Sequence, residues 1–124
     1  MTSPLRFAIK AGRGAGVSNE EDMIEHAMRV LLSDQQNARH LVWALVTQWT
    51  QVPPLQLVYV LSITAGTIEE MLAEPEHRAL AQEVWRMAGL VGVDLWMMQQ
   101  MDLPATDLRD VMAYWLVHDR FFLP

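Results

Sequence analysis

The chain contains no cysteine, which excludes a disulfide framework, a thiolate metal site and a thiol nucleophile. That absence fits a reducing compartment, and the expected location is cytoplasmic. Lysine is almost missing too: Lys10 is the single one in 124 residues. Gly12, Gly14 and Gly16 supply the glycines of a phosphate loop, but no loop lysine and no preceding hydrophobic strand accompany them. Long apolar runs are also lacking. The richest stretches are interrupted by Gln, Thr or Pro before reaching the ~20 residues that a bilayer span needs. The opening MTSPLRFAIKAGRGAG has no apolar h-region of a secretory signal. No membrane partner is expected.

Positive charge is scarce. Nine Lys and Arg face fifteen Asp and Glu, for a net charge of −6. Three of those nine, Arg6, Lys10 and Arg13, precede Gly14, so the body of the chain is more acidic than the total suggests. An acidic body disfavours nucleic acid, whose affinity comes largely from neutralised phosphates. What the chain has in surplus is large apolar side chains, with nine Met and five Trp in a composition that is 52% hydrophobic.

The periodicity predicts an all-α fold: a single-domain irregular or orthogonal bundle of six to seven helices after a flexible N-terminal arm. Residues 1–17 form the expected flexible basic Gly/Ala arm, because closely spaced glycines weaken both helix and strand. The helical domain is expected over 18–124. Ser18 and Glu21 have the spacing of a capping box, and the acids Glu20, Glu21 and Asp22 suit the positive end of a helix dipole. That first helix is expected to end near Ser33.

Asp34 or Asn37 can cap a second helix, where Ala38, Leu41, Val42, Leu45, Val46 and Trp49 recur at helical spacing. Pro53 and Pro54 stop it, and Pro54 can open a third, because proline is tolerated in a first turn. Val, Tyr and Ile over 57–63 also suit a strand, but a lone strand has nothing to pair with, and helix is preferred. Gly66 is expected to end this element, with Thr67 and Glu70 capping a short helix after it. Pro75 opens the next helix, and its predicted face is Leu80, Ala81, Val84, Trp85 and Ala88. Gly89 and Gly92 bracket an expected break before a further short helix, VDLWMMQQM. Asp102, Leu103 and Pro104 turn the chain, and a last helix begins near Thr106. Shifting the chain by 51 residues aligns Pro53 with Pro104 and Leu57 with Leu108, so the helix–proline–helix unit is used twice.

Three chemistries could use these elements: nucleic-acid recognition, metal binding and catalysis. VDLWMMQQMDLPATDLRDVMAYWL resembles the helix-turn-recognition-helix pair of winged-helix regulators, and Ala88 with Gly92 and Val93 offers an earlier register of the same motif. Recognition helices present Arg, Lys, Asn, Gln or Ser to phosphates and base edges. Here the later register presents Asp107, Arg109 and Asp110, and the earlier one Trp96, Met97 and Met98. Glu74 and His77 share a Glu-x-x-His spacing that serves di-iron bundles when it occurs in pairs. It occurs once, at a helix start, so a surface polar turn is the better reading and no metal is assigned. No nucleophile motif is present, and most acids sit in first turns with a structural cause already, so neither catalysis nor a cofactor is expected.

The apolar surplus then points to a non-catalytic protein that binds another protein and itself, an adaptor or regulator acting as a homodimer. Trp is a frequent interface anchor and Met-rich surfaces adapt to partners. A short helix cannot turn Trp96, Met97, Met98 and Met101 all inward, and the closing RFFLP leaves Phe121, Phe122 and Leu123 in need of cover. These seven residues are the expected partner-binding set. The alternative is a helix-turn-helix regulator using Arg109, Arg120 and the basic arm.

Overall fold

The computed structural model describes residues 19–33 and 37–124. The arm expected over 1–17, the Ser18 cap and Asp34 lie outside these residues. Among the described residues there are five helices and no strand. They are α1 (Asn19–Ser33), α2 (Ala38–Gln48), α3 (Pro54–Met71), α4 (Pro75–Gln100) and α5 (Leu108–His118). The shortfall from six or seven has one cause: two expected breaks do not exist.

The starts are where single residues decide the matter. Asn37 adopts extended backbone and its Oδ1 accepts from the His40 amide at 2.8 Å, so it is the cap of α2. Pro54 and Pro75 each occupy the first turn of their helix, where the missing N–H leaves no bond unmade. Residues 57–63 are helical throughout.

Glycine did not end helices here. Gly66 lies inside α3, and Thr67 does not cap a new element: its Oγ1 donates to the Ile63 carbonyl one turn back, at 2.7 Å. Gly89 and Gly92 lie inside α4, which runs unbroken for 26 residues. A mid-helix glycine costs about 1 kcal/mol relative to alanine. The buried series Val84, Met87, Ala88, Val91, Asp94 and Met98 continues at helical spacing across both glycines. Burial of these residues outweighs the local propensity, since a single buried apolar side chain contributes about 1.5–3 kcal/mol. A Cβ added at Gly89 or at Gly92 would meet nothing within 4 Å. Gly89→Ala and Gly92→Ala are therefore each expected to stabilise the fold, by about 0.5–1 kcal/mol. Urea unfolding would show it, and a loss of stability would mean that the open space at these positions is occupied.

α3 and α4 pack side by side along most of their length as a hairpin, with α1 against α3 and α2, and with α2 reaching both α4 and α5. One continuous core results, including Met23, Leu41, Leu45, Leu57, Leu61, Ile68, Met87, Met98, Leu108 and Trp115. Among the described residues no helix is long and apolar enough to cross a membrane.

Candidate protein-binding surface

The two proline corners meet in space. The corner after α2 offers the carbonyls of Thr50 and Val52. The first-turn amides of α5 donate to them, Leu108 N to Val52 O at 2.9 Å and Arg109 N to Thr50 O at 3.0 Å. Asp107 adds the third bond, its Oδ1 accepting from the Asp110 amide at 3.3 Å, while Asp110 Oδ2 accepts from Thr106 N at 2.8 Å. The amides that every helix N-terminus leaves unpaired are thus consumed inside the molecule.

The turn that delivers the chain to this point is equally defined. Asp102 has φ 54°, the left-handed conformation that Asp tolerates better than most residues. The Leu103 amide donates to Met98 O at 2.9 Å and the Asp102 amide to Gln99 O at 3.1 Å. This is the Schellman ending, and it closes the last carbonyls of α4.

Between the corners and the outer face of α4 lies an open groove of about 600 Å³. Pro53, Pro54 and Leu55 form one wall, and Leu95, Trp96 and Leu103 the other. Gly92 lies along it with no side chain to fill it, and the polar groups on its lining come from Gln99 and Thr106. Among the described residues, none that lines it is charged. Leu55 is 71% exposed and Trp96 57%.

The seven sequence-predicted residues do not form one surface. Trp96 lines the groove, while Met97 and Met101 are exposed beside it. Met98 is core, at 0% exposure, because α4 turns it inward with Asp94 one turn earlier. Phe122 is also core, at 1%, with its ring 4.5 Å from that of Trp115. Both of these residues are therefore buried in this chain's own interior rather than exposed as expected. Phe121 is 38% exposed and meets Phe122 edge-on at 5.0 Å; Leu123 is half-buried. Arg39 of α2 holds this segment, its Nη1 donating to the Phe121 carbonyl at 2.9 Å and lying near that of Leu123 at 3.4 Å. Residues two apart on a helix point some 200° apart. Asp94 faces Trp115 and the RFFLP segment, so Trp96 faces away from them. Leu55, Pro53 and Leu95 were missed in the sequence. The signal that could have found them was the paired proline corners.

Beneath the RFFLP segment lies an acidic cluster. Asp94 is 6% exposed and its Oδ2 accepts from Trp115 Nε1 at 2.8 Å. Burial, reinforced by the neighbouring Asp119 carboxyl, pushes Asp94 up to about 7 against the opposing pull of the Trp115 N–H. Burial and these two carboxyls also raise Tyr114. Elsewhere, Glu74, Glu76 and His77 bring their ligand atoms within 4.8 Å of one another at the start of α4. Glu74 and Glu76 are exposed, and Glu76 lies in the first turn, where a carboxylate suits the helix dipole.

The earlier helix-turn-helix register falls within uninterrupted α4, so it contains no turn. In the later one, the α5 amides that would face a phosphate already serve Thr50 and Val52. No protein-family model, no curated protein and no solved structure matches the chain.

Proposed function

We propose that this chain is a non-catalytic binding protein that receives an apolar, uncharged segment of another protein in the groove between its two proline corners. The observation that carries this reading is the groove itself: about 600 Å³, uncharged, and flanked by Leu55 and Trp96 that no other part of the described chain covers. A large exposed apolar side chain on a rigid helix has little conformational freedom to lose on binding, which is what makes Trp an effective anchor. Rigidity is supplied by the Schellman ending of α4 on one side and the Thr50–Val52 carbonyls on the other. Met97 and Met101 add adaptable apolar surface nearby. The partner of first choice is a second copy, giving a homodimer, because the same exposed side chains could then cover one another.

Nucleic acid fits less well. Asp107 and Asp110 sit at the start of α5, and the described residues of the groove include no cation.

Light scattering across micromolar to millimolar concentration tests the dimer, with Trp96→Ala as the comparison. The expected result is a dimer whose dissociation constant rises about 30-fold or more in the variant, the loss of one hot-spot residue. At a concentration where both proteins are monomeric its melting temperature should equal that of the wild type, since Trp96 is mostly outside the core. A wild-type monomer at millimolar concentration would rule out the second copy. An unchanged constant in Trp96→Ala would move the interface elsewhere.

A further inference from the structure

The groove has a second claimant inside the same chain. The sequence that precedes α1 carries two properties that suit it. The first is an apolar face. Leu5, Phe7 and Ile9 alternate with Arg6, Ala8 and Lys10, and in extended backbone successive side chains point to opposite sides. Seated in that conformation, the three large apolar side chains share one side and both cations take the other. The lining of the groove, uncharged among its described residues, then meets no charge.

The second property is charge itself. The residues before Gly14 hold three cations and no acid, while the rest of the chain holds six cations and fifteen acids. At the rim, exposed Asp102 and half-buried Asp107 adjoin the lining residues Leu103 and Thr106, with Arg109 further along. Opposite charge of this kind favours encounter more than it adds affinity. The other apolar end of the chain is already committed, since Arg39 holds the RFFLP segment and Phe122 packs on Trp115.

The described chain also begins in the right place. Asn19 opens α1, and Met23, about one turn on, has its Sδ 3.7 Å from Gln56 Nε2. Gln56 follows Leu55, a wall of the groove. Ten residue steps separate Ile9 from Asn19, and ten extended residues reach at most about 35 Å. That exceeds one helical turn, about 5 Å along the axis, and two side chains in contact. A segment tethered this closely meets its site at an effective concentration in the millimolar range, which a separate copy must reach by being concentrated.

We propose that Leu5–Ile9 occupies the groove of its own chain, its three apolar side chains between Leu55 and Trp96, and that a second copy enters only when this segment leaves. Occupation of this kind rests on the reading of the groove as a site for an apolar segment, and it adds a regulator to that site. A segment that closes nine grooves in ten weakens the apparent dimer constant about 10-fold for each copy that must open.

Because the chain has no cysteine, Ala8→Cys takes a single nitroxide label, on the side away from the groove. NMR of the isotope-labelled full chain, at a concentration where it is monomeric, should show the Trp96 indole N–H, assigned with Trp96→Phe, and the Leu55 amide broadened. The Met71 amide, about 24 Å along α3 from Leu55, should stay sharp. A mixture of isotope-labelled chain without nitroxide and nitroxide-labelled chain without isotope should show no broadening. Phe7→Ser combined with Ile9→Ser should remove the broadening and, in the chain without Ala8→Cys, lower the dimer dissociation constant tenfold or more by light scattering. Sharp Trp96 and Leu55 signals overturn the proposal, as does broadening confined to the mixture, which would give the segment to a neighbouring copy. So does a double variant that associates no more tightly than the wild type. The groove reading is judged separately by Trp96→Ala: if that substitution weakens the dimer while the nitroxide leaves Trp96 sharp, the groove remains the docking site and only the internal occupant is lost.

Discussion

Trp115→Ala is expected to cost on the order of 4 kcal/mol of folding stability, within the range for emptying a large aromatic from a core. Three losses coincide at this residue. Its side chain is fully buried, so truncation leaves a cavity that the surrounding helices fill only in part. Its ring is the surface for Phe122, 4.5 Å away. Its Nε1–H is the indole donor to Asp94 at 2.8 Å. Trp115→Phe separates these, because most of the apolar volume remains while the donor goes. Leaving a buried acceptor unpaired costs about 1–3 kcal/mol, so the Phe variant should fall between wild type and Ala. Urea unfolding followed by circular dichroism would measure both, with midpoints shifting at constant slope. A Trp115→Ala protein within 1 kcal/mol of wild type would contradict the core described here.

The adjacent phenylalanines give the second large effect as a contrast. Phe122→Ala should lose about 3 kcal/mol, as for a buried aromatic, whereas Phe121→Ala should lose less than 1 kcal/mol, as for a partly exposed one. The ring of Phe121 lies under the Arg39 guanidinium at 5.8 Å, an exposed contact of small value. Phe122 and Trp115 touch, so their truncations should not add: the double variant should be more stable than the sum of the two single losses implies. Equal effects at 121 and 122 would mean that the RFFLP segment is not seated as described.

The Asn37 cap and the proline starts were legible because each depends on the properties of one residue. Asn37 can bond an amide two or three places on, and Pro54 and Pro75 can only begin helices. Gly66, Gly89 and Gly92 misled because their signal is weak next to the burial that surrounds them, from Ala65 and Ile68 in α3 and from Ala88 and Val91 in α4. That error had a further consequence. Reading VDLWMMQQM as a separate short helix left its phase free, so Trp96 and Met98 looked alike. As the end of a long helix its phase is set by Val84, Met87 and Val91, which puts Met98 inside and Trp96 outside.

The RFFLP segment shows a different limit. That it needed cover was readable. Which phenylalanine received it depended on Arg39, 82 residues earlier in the chain. The groove depended on backbone bonds between Thr50, Val52 and the first turn of α5, and main-chain amides leave no mark in a sequence.

Those backbone bonds also imply an order of assembly. The α3–α4 hairpin is built from neighbours in the chain, and such local contacts close at little entropic cost. The start of α5 cannot complete its amide bonds until the Thr50–Val52 corner exists and the hairpin has carried the chain back to it. Helix α5 should therefore be the last to dock. It brings Trp115 and the segment around Phe122 with it, so the closing step of folding is also the step that seals the acidic cluster.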